Sequence, residues 1–269
     1  MGEQPSRAPV WRRMLYSTEG REPELVDLLR EAERILIFTG AGVSTASGIP
    51  DFRGPDGIWK RLQPVYFQEF ESSEEARVEY WRQKAESWEL FHNSEPNAVH
   101  LAAADLERAG KLLMVVTQNI DGLHAKAGTS RNRLVELHGT NAGVECLSCG
   151  ALTDPAPHLA WFREHQRTPM CGCGGFLKLA TISFGQNLRE IDLQRASIAA
   201  DKCDLAVSLG STLSVYPAAA IPLNAAERGV PYVVINRGPT GHDRSPHVKM
   251  RLEGDVTEIF APAVREALG

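Results

Sequence analysis

"ILIFTGAGVSTASGIPDFRG", residues 35–54, is the stretch whose reading decides the fold. Four apolar residues, Ile35 to Phe38, run unbroken towards Gly40-Ala41-Gly42, and small residues then lead into a Pro-Asp-Phe-Arg step. An uninterrupted apolar run bounded by glycine is the pattern of a strand buried on both faces. Two glycines just after such a strand let the backbone come close to a pyrophosphate, at the N-terminus of a helix whose dipole favours the anion. A plain strand-to-helix turn would use the same letters, so the loop by itself leaves both readings open.

On either side of the loop the pattern continues. Leu25, Leu28, Leu29 and Ala32 give Glu22 to Arg34 a helical spacing just before the first strand. Further short apolar runs follow at 112–116, 133–137, 205–210, 232–236 and 248–252. Helical stretches lie between them, at Asn97–Ala109, Asp192–Asp201, Pro217–Arg228 and Asp255–Leu268. Strands alternating with helices predict an α/β fold, a Rossmann-like parallel sheet with helices on both faces. Two regions break the rhythm. Residues 54–95 are aromatic-rich, charged and helix-like, too long for an ordinary connection. Residues 142–184 hold four of the five cysteines and the run "CGCGG". The expected organisation is a nucleotide-binding domain over 21–141 and 185–269 with a helical insertion near 54–95, a small inserted zinc-binding domain over 142–184, and an N-terminal arm over 1–20.

Composition narrows the class. The 269 residues can bury one large core or two smaller ones. A net charge of −5 gives no global footprint for nucleic acid, and no apolar run approaches a membrane span. "MGEQPS" fits the loose pattern for N-myristoylation, and no signal h-region follows it. Five cysteines in such a chain point to a reducing compartment, with thiols as metal ligands or core residues, and so to a cytoplasmic protein.

A hydride-transferring enzyme would need a third glycine in the loop and a ribose-binding acid about twenty residues on. Thr45 stands in the third place, and Trp59, Lys60 and Arg61 stand where the acid would be. Gly48, Pro50 and Gly54 stop one helix from running through the segment, leaving Asp51, Phe52 and Arg53 in a loop beside the turn. Ligands of open α/β sheets sit at the carboxyl ends of strands. There "VVTQNIDGLH" places Gln118, Asn119, Ile120 and Asp121, and "LVELHGT" places His138, a general base in the right pH range. Asx residues also make ordinary turns, and one histidine of eight is more often structural. Three polar strand ends behind one glycine loop are harder to dismiss. Cys146-x-x-Cys149 and Cys171-x-Cys173 make a four-thiolate set suited to one structural zinc, the second pair tighter than usual, with His165 as the substitute ligand. Cys203 reads as a buried core thiol.

"GAGVSTASGIPDFRGPDGIW", "TQNIDGLH", "ELHG", the cysteine pairs, "ISFG" and "LGSTLSVYPAA" occur in an order that resembles the sirtuins, the NAD-dependent protein lysine deacylases. The resemblance covers roughly residues 30–258. It implies that NAD is consumed as co-substrate, with nicotinamide cleaved rather than reduced, and that the acyl group passes from lysine to ADP-ribose. It further implies that Gly40, Ala41 and Gly42 cradle the pyrophosphate, with Thr45 beside them, and that Asp51, Phe52 and Arg53 close over nicotinamide. Asn119 and Asp121 would position the nicotinamide ribose and amide, with Gln118 and Ile120 alongside, and His138 would accept a ribose hydroxyl proton. Gly210, Ser211 and Thr212 would meet the adenosine side, Asn236 and Arg237 the adenine-side ribose, and Asp255 or Val256 the adenine. This chain has Gly-Ser-Thr where the family usually has Gly-Thr-Ser.

For the second substrate, the resemblance implies acyl-lysine proteins or peptides as partners. Ile182 and Phe184 would line a tunnel for the lysine, while Gly185 on one side and Leu213 to Val215 on the other would pair with the peptide backbone. Relatives that remove succinyl groups carry Tyr-x-x-Arg in the inserted helix. Here the nearest equivalent is Trp81-x-x-Lys84, and lysine lacks the bidentate fork, so uncharged acyl groups are expected. "PTGHDR", 239–244, is similar to a motif of the branch that includes chromatin-associated sirtuins. Two rivals remain: mono-ADP-ribosyl transfer to protein, and a non-catalytic NAD-sensing module.

Overall fold

The computed structural model describes residues 21–51 and 63–269, and the expected N-terminal arm, Phe52 and Arg53 lie outside them. In chain order the elements are α1 (Glu22–Glu31), β1 (Ile35–Thr39), α2 (Phe67–Ser72), α3 (Glu74–Asn93), α4 (Ala98–Arg108), β2 (Leu112–Thr117), α5 (Leu123–Lys126) and β3 (Leu134–Glu136). Then come β4 (Gly139–Cys146), β5 (Leu152–Thr153), α6 (Pro155–His165), β6 (Leu177–Thr181), α7 (Glu190–Lys202), β7 (Leu205–Leu209), α8 (Ala220–Glu227), β8 (Tyr232–Asn236), β9 (Met250–Glu253) and α9 (Val256–Leu268).

Six strands form one sheet in the order β3-β2-β1-β7-β8-β9, every neighbouring pair parallel. All five residues of β1 and all five of β7 are buried, as strands covered on both faces must be. Alternation along β1 divides them: Ile35 and Ile37 face the layer holding Leu25, Leu106 and Phe260, while Leu36 and Phe38 face the layer holding Ala199, Ala225 and Tyr232. Helix starts are set locally. Asn97 accepts from the Val99 amide at 3.0 Å, Asp154 from Ala156 at 2.7 Å and Asp255 from Thr257 at 2.7 Å.

The cysteine-bearing insertion folds on an antiparallel sheet, β5-β4-β6, covered by α3 and α6 around Phe70, Trp81, Phe162 and Leu179. It leaves and rejoins the large sheet at one place. Gly139 pairs with Thr181, and the Ile182 amide donates to the His138 carbonyl at 2.7 Å. A side chain on Gly139 would meet the Ala180 carbonyl, and its φ of 71° favours glycine in any case. Among the described residues no helix is long and apolar enough to cross a membrane.

Candidate active site

The chain runs outward from β1 through β2 to β3, then returns to place β7 on the other side of β1. That switch in direction opens a crevice above the carboxyl ends of β1 and β7, where open α/β sheets bind ligands. The two loops there touch backbone to backbone. A Cβ on Gly40 would lie 2.7 Å from the Ser211 Cβ, and one on Gly42 would lie 2.8 Å from the Gly210 Cα. Gly40 N–H donates to Leu209 O at 3.0 Å and Gly42 N–H to Gly210 O at 2.8 Å. These glycines therefore serve first to bring the two loops together, and their own amides are engaged in doing so.

The helix expected after Gly42 is not formed. Two 3-10 turns, Ala41–Val43 and Thr45–Ser47, stand in its place, ended by Gly48 at φ 85°. Thr45, in the third glycine's place, turns its hydroxyl onto the Gly42 carbonyl at 3.0 Å. The loop after β1 thus has no α-helix dipole directly behind it among the described residues, because Gly48 and Pro50 interrupt the segment too early.

The end of β2 packs against this loop. Asn119 Nδ2 donates to Gly40 O at 3.1 Å and to Ser44 Oγ at 3.0 Å, and Ser44 Oγ donates to Asp121 Oδ2 at 2.7 Å. The other Asp121 oxygen accepts from the Leu123 amide at 2.9 Å. Ser44 went unread in the sequence, although it lies in the opening loop. So did Phe91 of α3, which joins Ala41, Ile49 and Pro50 as apolar walls of a narrow pocket floored by Asn119, Ile120 and Asp121. A larger open depression of about 500 Å³ lies outside the loop, between Ser47 and Glu89, and holds none of these strand-end groups.

Beneath the cluster, Thr39 Oγ1 donates to Thr117 Oγ1 at 2.8 Å, so His124 Nε2, 3.2 Å away, must be the donor to Thr39. Burial keeps His124 neutral, and it pushes the neighbouring His100 down to about 4.

His138 lies one strand further out. Its Nδ1 is 2.8 Å from the Gln118 carbonyl, which can only accept, so the proton sits on Nδ1 and Nε2 is the basic nitrogen. Gln118 also reaches the other way, its Nε2 donating to Ser211 Oγ at 3.0 Å. One residue thus spans the crevice. Glu136, two residues before His138, has its carboxyl pushed up to about 7 by burial and then by the charge of Asp121.

After β7, Gly210 turns at φ 58°, with a Cβ there 2.6 Å from the Val43 amide, and Thr212 is exposed. Asn236 closes β8 and donates to Gly238 O at 2.9 Å. Arg237 pairs with Asp255. Burial opposes ionisation of Asp255, but bonds from Thr257 and Arg237 outweigh it and hold the carboxyl below its usual range. Both Asp255 oxygens are thereby engaged, and Val256 is 4 % exposed, packed into the core.

After β6, Ile182 follows the neck, and Ser183 to Gln186 form a turn closed by a 3.0 Å bond, with Gly185 at φ 79°. Phe184, 39 % exposed, lies 5.8 Å from the Tyr66 ring, centroid to centroid. Its carbonyl accepts from Phe67 N–H at 2.9 Å, and that of Gly185 accepts from Gln68 Nε2 at 2.9 Å. The backbone at Gly185 is therefore a turn tied to α2, not an extended edge. Leu213 is buried with φ 52°, and Val215 is partly covered. Trp81 cannot meet an acyl group: it is 0 % exposed, and its indole donates to Leu177 O at 3.2 Å. Lys84 lies 5.3 Å over the Tyr80 ring, its ammonium pushed down to about 8 by burial.

The four thiolates converge. Sγ of Cys146, Cys149, Cys171 and Cys173 all lie within 4.8 Å of one another, with 3.6 Å between Cys146 and Cys173 and 3.8 Å between Cys149 and Cys171. Those spacings are far beyond a disulfide and match the roughly 3.8 Å edge of a tetrahedral zinc–thiolate site. Gly175 must lack a side chain, since a Cβ would lie 2.7 Å from Cys146 Sγ. His165 takes no part, being stacked on Trp161 at 4.5 Å. Cys203 is buried, as expected.

Fold and site together define a Rossmann-type nucleotide-binding protein with a thiolate metal module set beside its ligand crevice. The Sir2 family model matches residues 40–217, and the chain belongs to that family. It is 40 % identical over 242 residues to the NAD-dependent protein deacetylase of Rhodopseudomonas palustris, covering 90 % of this chain and 95 % of that one. It is 42 % identical over 244 residues to NAD-dependent protein deacetylase 1 of Bradyrhizobium diazoefficiens, covering 89 % and 94 %. Among solved structures, one of a Sir2–p53 peptide–NAD+ complex superimposes with a TM-score of 0.80 at 33 % identity, over 90 % of this chain and 96 % of that one.

Proposed function

We propose that the chain is an NAD-dependent protein lysine deacylase. NAD supplies the reactive glycosidic bond to nicotinamide and the ribose hydroxyl that receives the acyl group. The observation that carries the reading is the Ser44–Asn119–Asp121 cluster joined through Gln118 to a histidine with its proton fixed on Nδ1. Asn119 and Asp121 hold the nicotinamide ribose and amide in place, which lowers the barrier to a charged sugar by fixing its geometry. His138 takes a hydroxyl proton on Nε2 while its Nδ1–H stays on Gln118 O. Gly40, Ala41 and Gly42 face the pyrophosphate, with Asp51, Phe52 and Arg53 closing the nicotinamide end. Ser211, Thr212, Asn236 and Arg237 face the adenosine end. A relative's structure with a p53 peptide and NAD+ supports two substrates meeting in one crevice.

The cysteine cluster fits a structural zinc, held by Cys146, Cys149, Cys171 and Cys173, and the metal's part is to hold the module rigid. The division into a nucleotide-binding domain, 21–141 and 185–269, and a zinc-binding insertion, 142–184, is part of the same proposal. The pairing of Gly139 with Thr181 across the neck supports a boundary close to these ends. Free thiols and the absence of a spanning helix among the described residues fit work on proteins in the cytoplasm. Mass spectrometry of products from NAD and an acetyl-lysine peptide tests the reading. Free lysine, nicotinamide and O-acetyl-ADP-ribose are expected. Protein-bound ADP-ribose would favour transfer to protein, and NADH without nicotinamide would refute both.

A further inference from the structure

We infer that Arg251, on β9, is a positioning residue for the nucleotide half of the crevice, fastening the loop after β8 and, through it, the loop after β7. Arg251 is only 5 % exposed, in the middle of the "PTGHDR" surroundings that the proposed chemistry does not use. Its Nε donates to Asp243 Oδ1 at 3.0 Å, Nη1 to Asn236 O at 3.0 Å and to Leu252 O, and Nη2 to Gly238 O at 2.6 Å. A planar fork holding one carboxylate and three carbonyls fixes where β8 ends and how the chain leaves it. The Gly238 carbonyl also accepts from Asn236 Nδ2, so the same anchor sets the direction of the Asn236 side chain.

From there the ties run inward. Asp243 accepts from the Thr240 amide at 3.0 Å, and Gly241 N–H donates to Thr212 O at 2.8 Å. A Cβ on Gly241 would lie 2.4 Å from Leu213 O, so the loops are in close contact. His242 is buried against Tyr232, with 3.0 Å between Nδ1 and the phenol, and Tyr232 lies 2.9 Å from Ser208 of β7. Removing the guanidinium frees the loop that carries Asn236 and Arg237 and slackens the one that carries Ser211 and Thr212. These four partners of the Arg251 guanidinium lie on β8, on β9 and in the loop between them, on the nucleotide half of the sheet.

The inference rests on the reading that Asn236 and Arg237 face the adenosine-side ribose, and the test separates the two. ADP-ribose and free nicotinamide are titrated calorimetrically into wild type, Arg251→Lys and Asp243→Asn, each checked by circular dichroism. Arg251→Lys keeps the charge but cannot span four acceptors. It is expected to bind ADP-ribose about tenfold more weakly, the scale of one lost charge-assisted contact. Nicotinamide affinity should be unchanged, and the KM for NAD should rise with kcat within about twofold. Asp243→Asn should shift ADP-ribose the same way by less, and it carries the test if the arginine variant does not fold. Failure of wild type to bind ADP-ribose would sink the adenosine reading itself. Wild-type ADP-ribose affinity in folded variants, or equal losses for ADP-ribose and nicotinamide, would overturn the positioning role.

Discussion

Replacing Gly42 by alanine tests one of the two backbone contacts that hold the loops after β1 and β7 together. Gly42 does not adopt the left-handed backbone, so alanine brings no conformational strain of its own. Its Cβ would nevertheless lie 2.8 Å from both the Cα and the carbonyl oxygen of Gly210. Ordinary carbon contacts sit near 3.5–4.0 Å, so the loops after β1 and β7 must part by roughly 1 Å. Overpacking of that kind costs about 1–3 kcal/mol of stability. The functional loss should be greater, since a displacement of about 1 Å in a positioned site is worth about a hundredfold in rate. Gly48→Ala is the matched control. It carries the strain, at φ 85°, but meets nothing within 4 Å, and should cost about 1–2 kcal/mol with little change in turnover. Urea unfolding gives the stabilities, and nicotinamide release against NAD concentration gives kcat/KM. A folded Gly42→Ala enzyme with wild-type kcat/KM would show that the nucleotide does not sit where these loops meet.

His138→Ala should abolish deacylation while ADP-ribose binding, read by calorimetry, changes by less than about threefold, since the imidazole acts on a proton rather than on affinity. Glu136 is ionised at a cost: its carboxyl titrates near 7 in the folded chain against the ordinary 4.5, so native stability falls as pH rises through that window. Glu136→Gln should therefore stabilise the protein by roughly 2–3 kcal/mol at pH 8 and by nothing at pH 4, and equal effects at both values in urea unfolding would refute the burial argument. Cys171→Ser should lose zinc by elemental analysis and lower the melting temperature, whereas Cys203→Ser should keep the metal. Acetyl-lysine peptides should turn over faster than succinyl-lysine peptides, because Trp81 is buried and Lys84 offers no fork; parallel product assays decide it.

The large sheet was legible because its strands carry their burial in their composition: Ile35 to Phe38 has no polar residue to give it an exposed face. The insertion's own sheet was not, since β4 begins Gly139-Thr140-Asn141-Ala142-Gly143, which has neither alternation nor β-branched density. Helix α6 did announce itself locally, in Asp154 and Pro155 at its start, and was passed over among the cysteines. That Gln118, Asn119, Asp121 and His138 share one edge of the sheet was legible, because topology brings the carboxyl ends of parallel strands together. Their supports were not. Ser44 matters only through Asn119 and Asp121, and Phe91 only because α3 crosses the crevice, both long-range facts that local spacing does not carry. Trp81 misled for the same reason: a helical position gives a spacing, not the side of the helix that is covered.

The insertion is hung from a hinge-width attachment, with Gly139 opposite Thr181 and His138 hydrogen-bonded to Ile182. Its two ends stand one strand spacing apart, about 5 Å, so the nucleotide sheet meets forty-odd intervening residues as it would a short hairpin. A change at Gly139, Thr181 or Ile182 acts on the backbone that carries His138, which makes those three positions the strand-to-strand link between the thiolate module and the histidine.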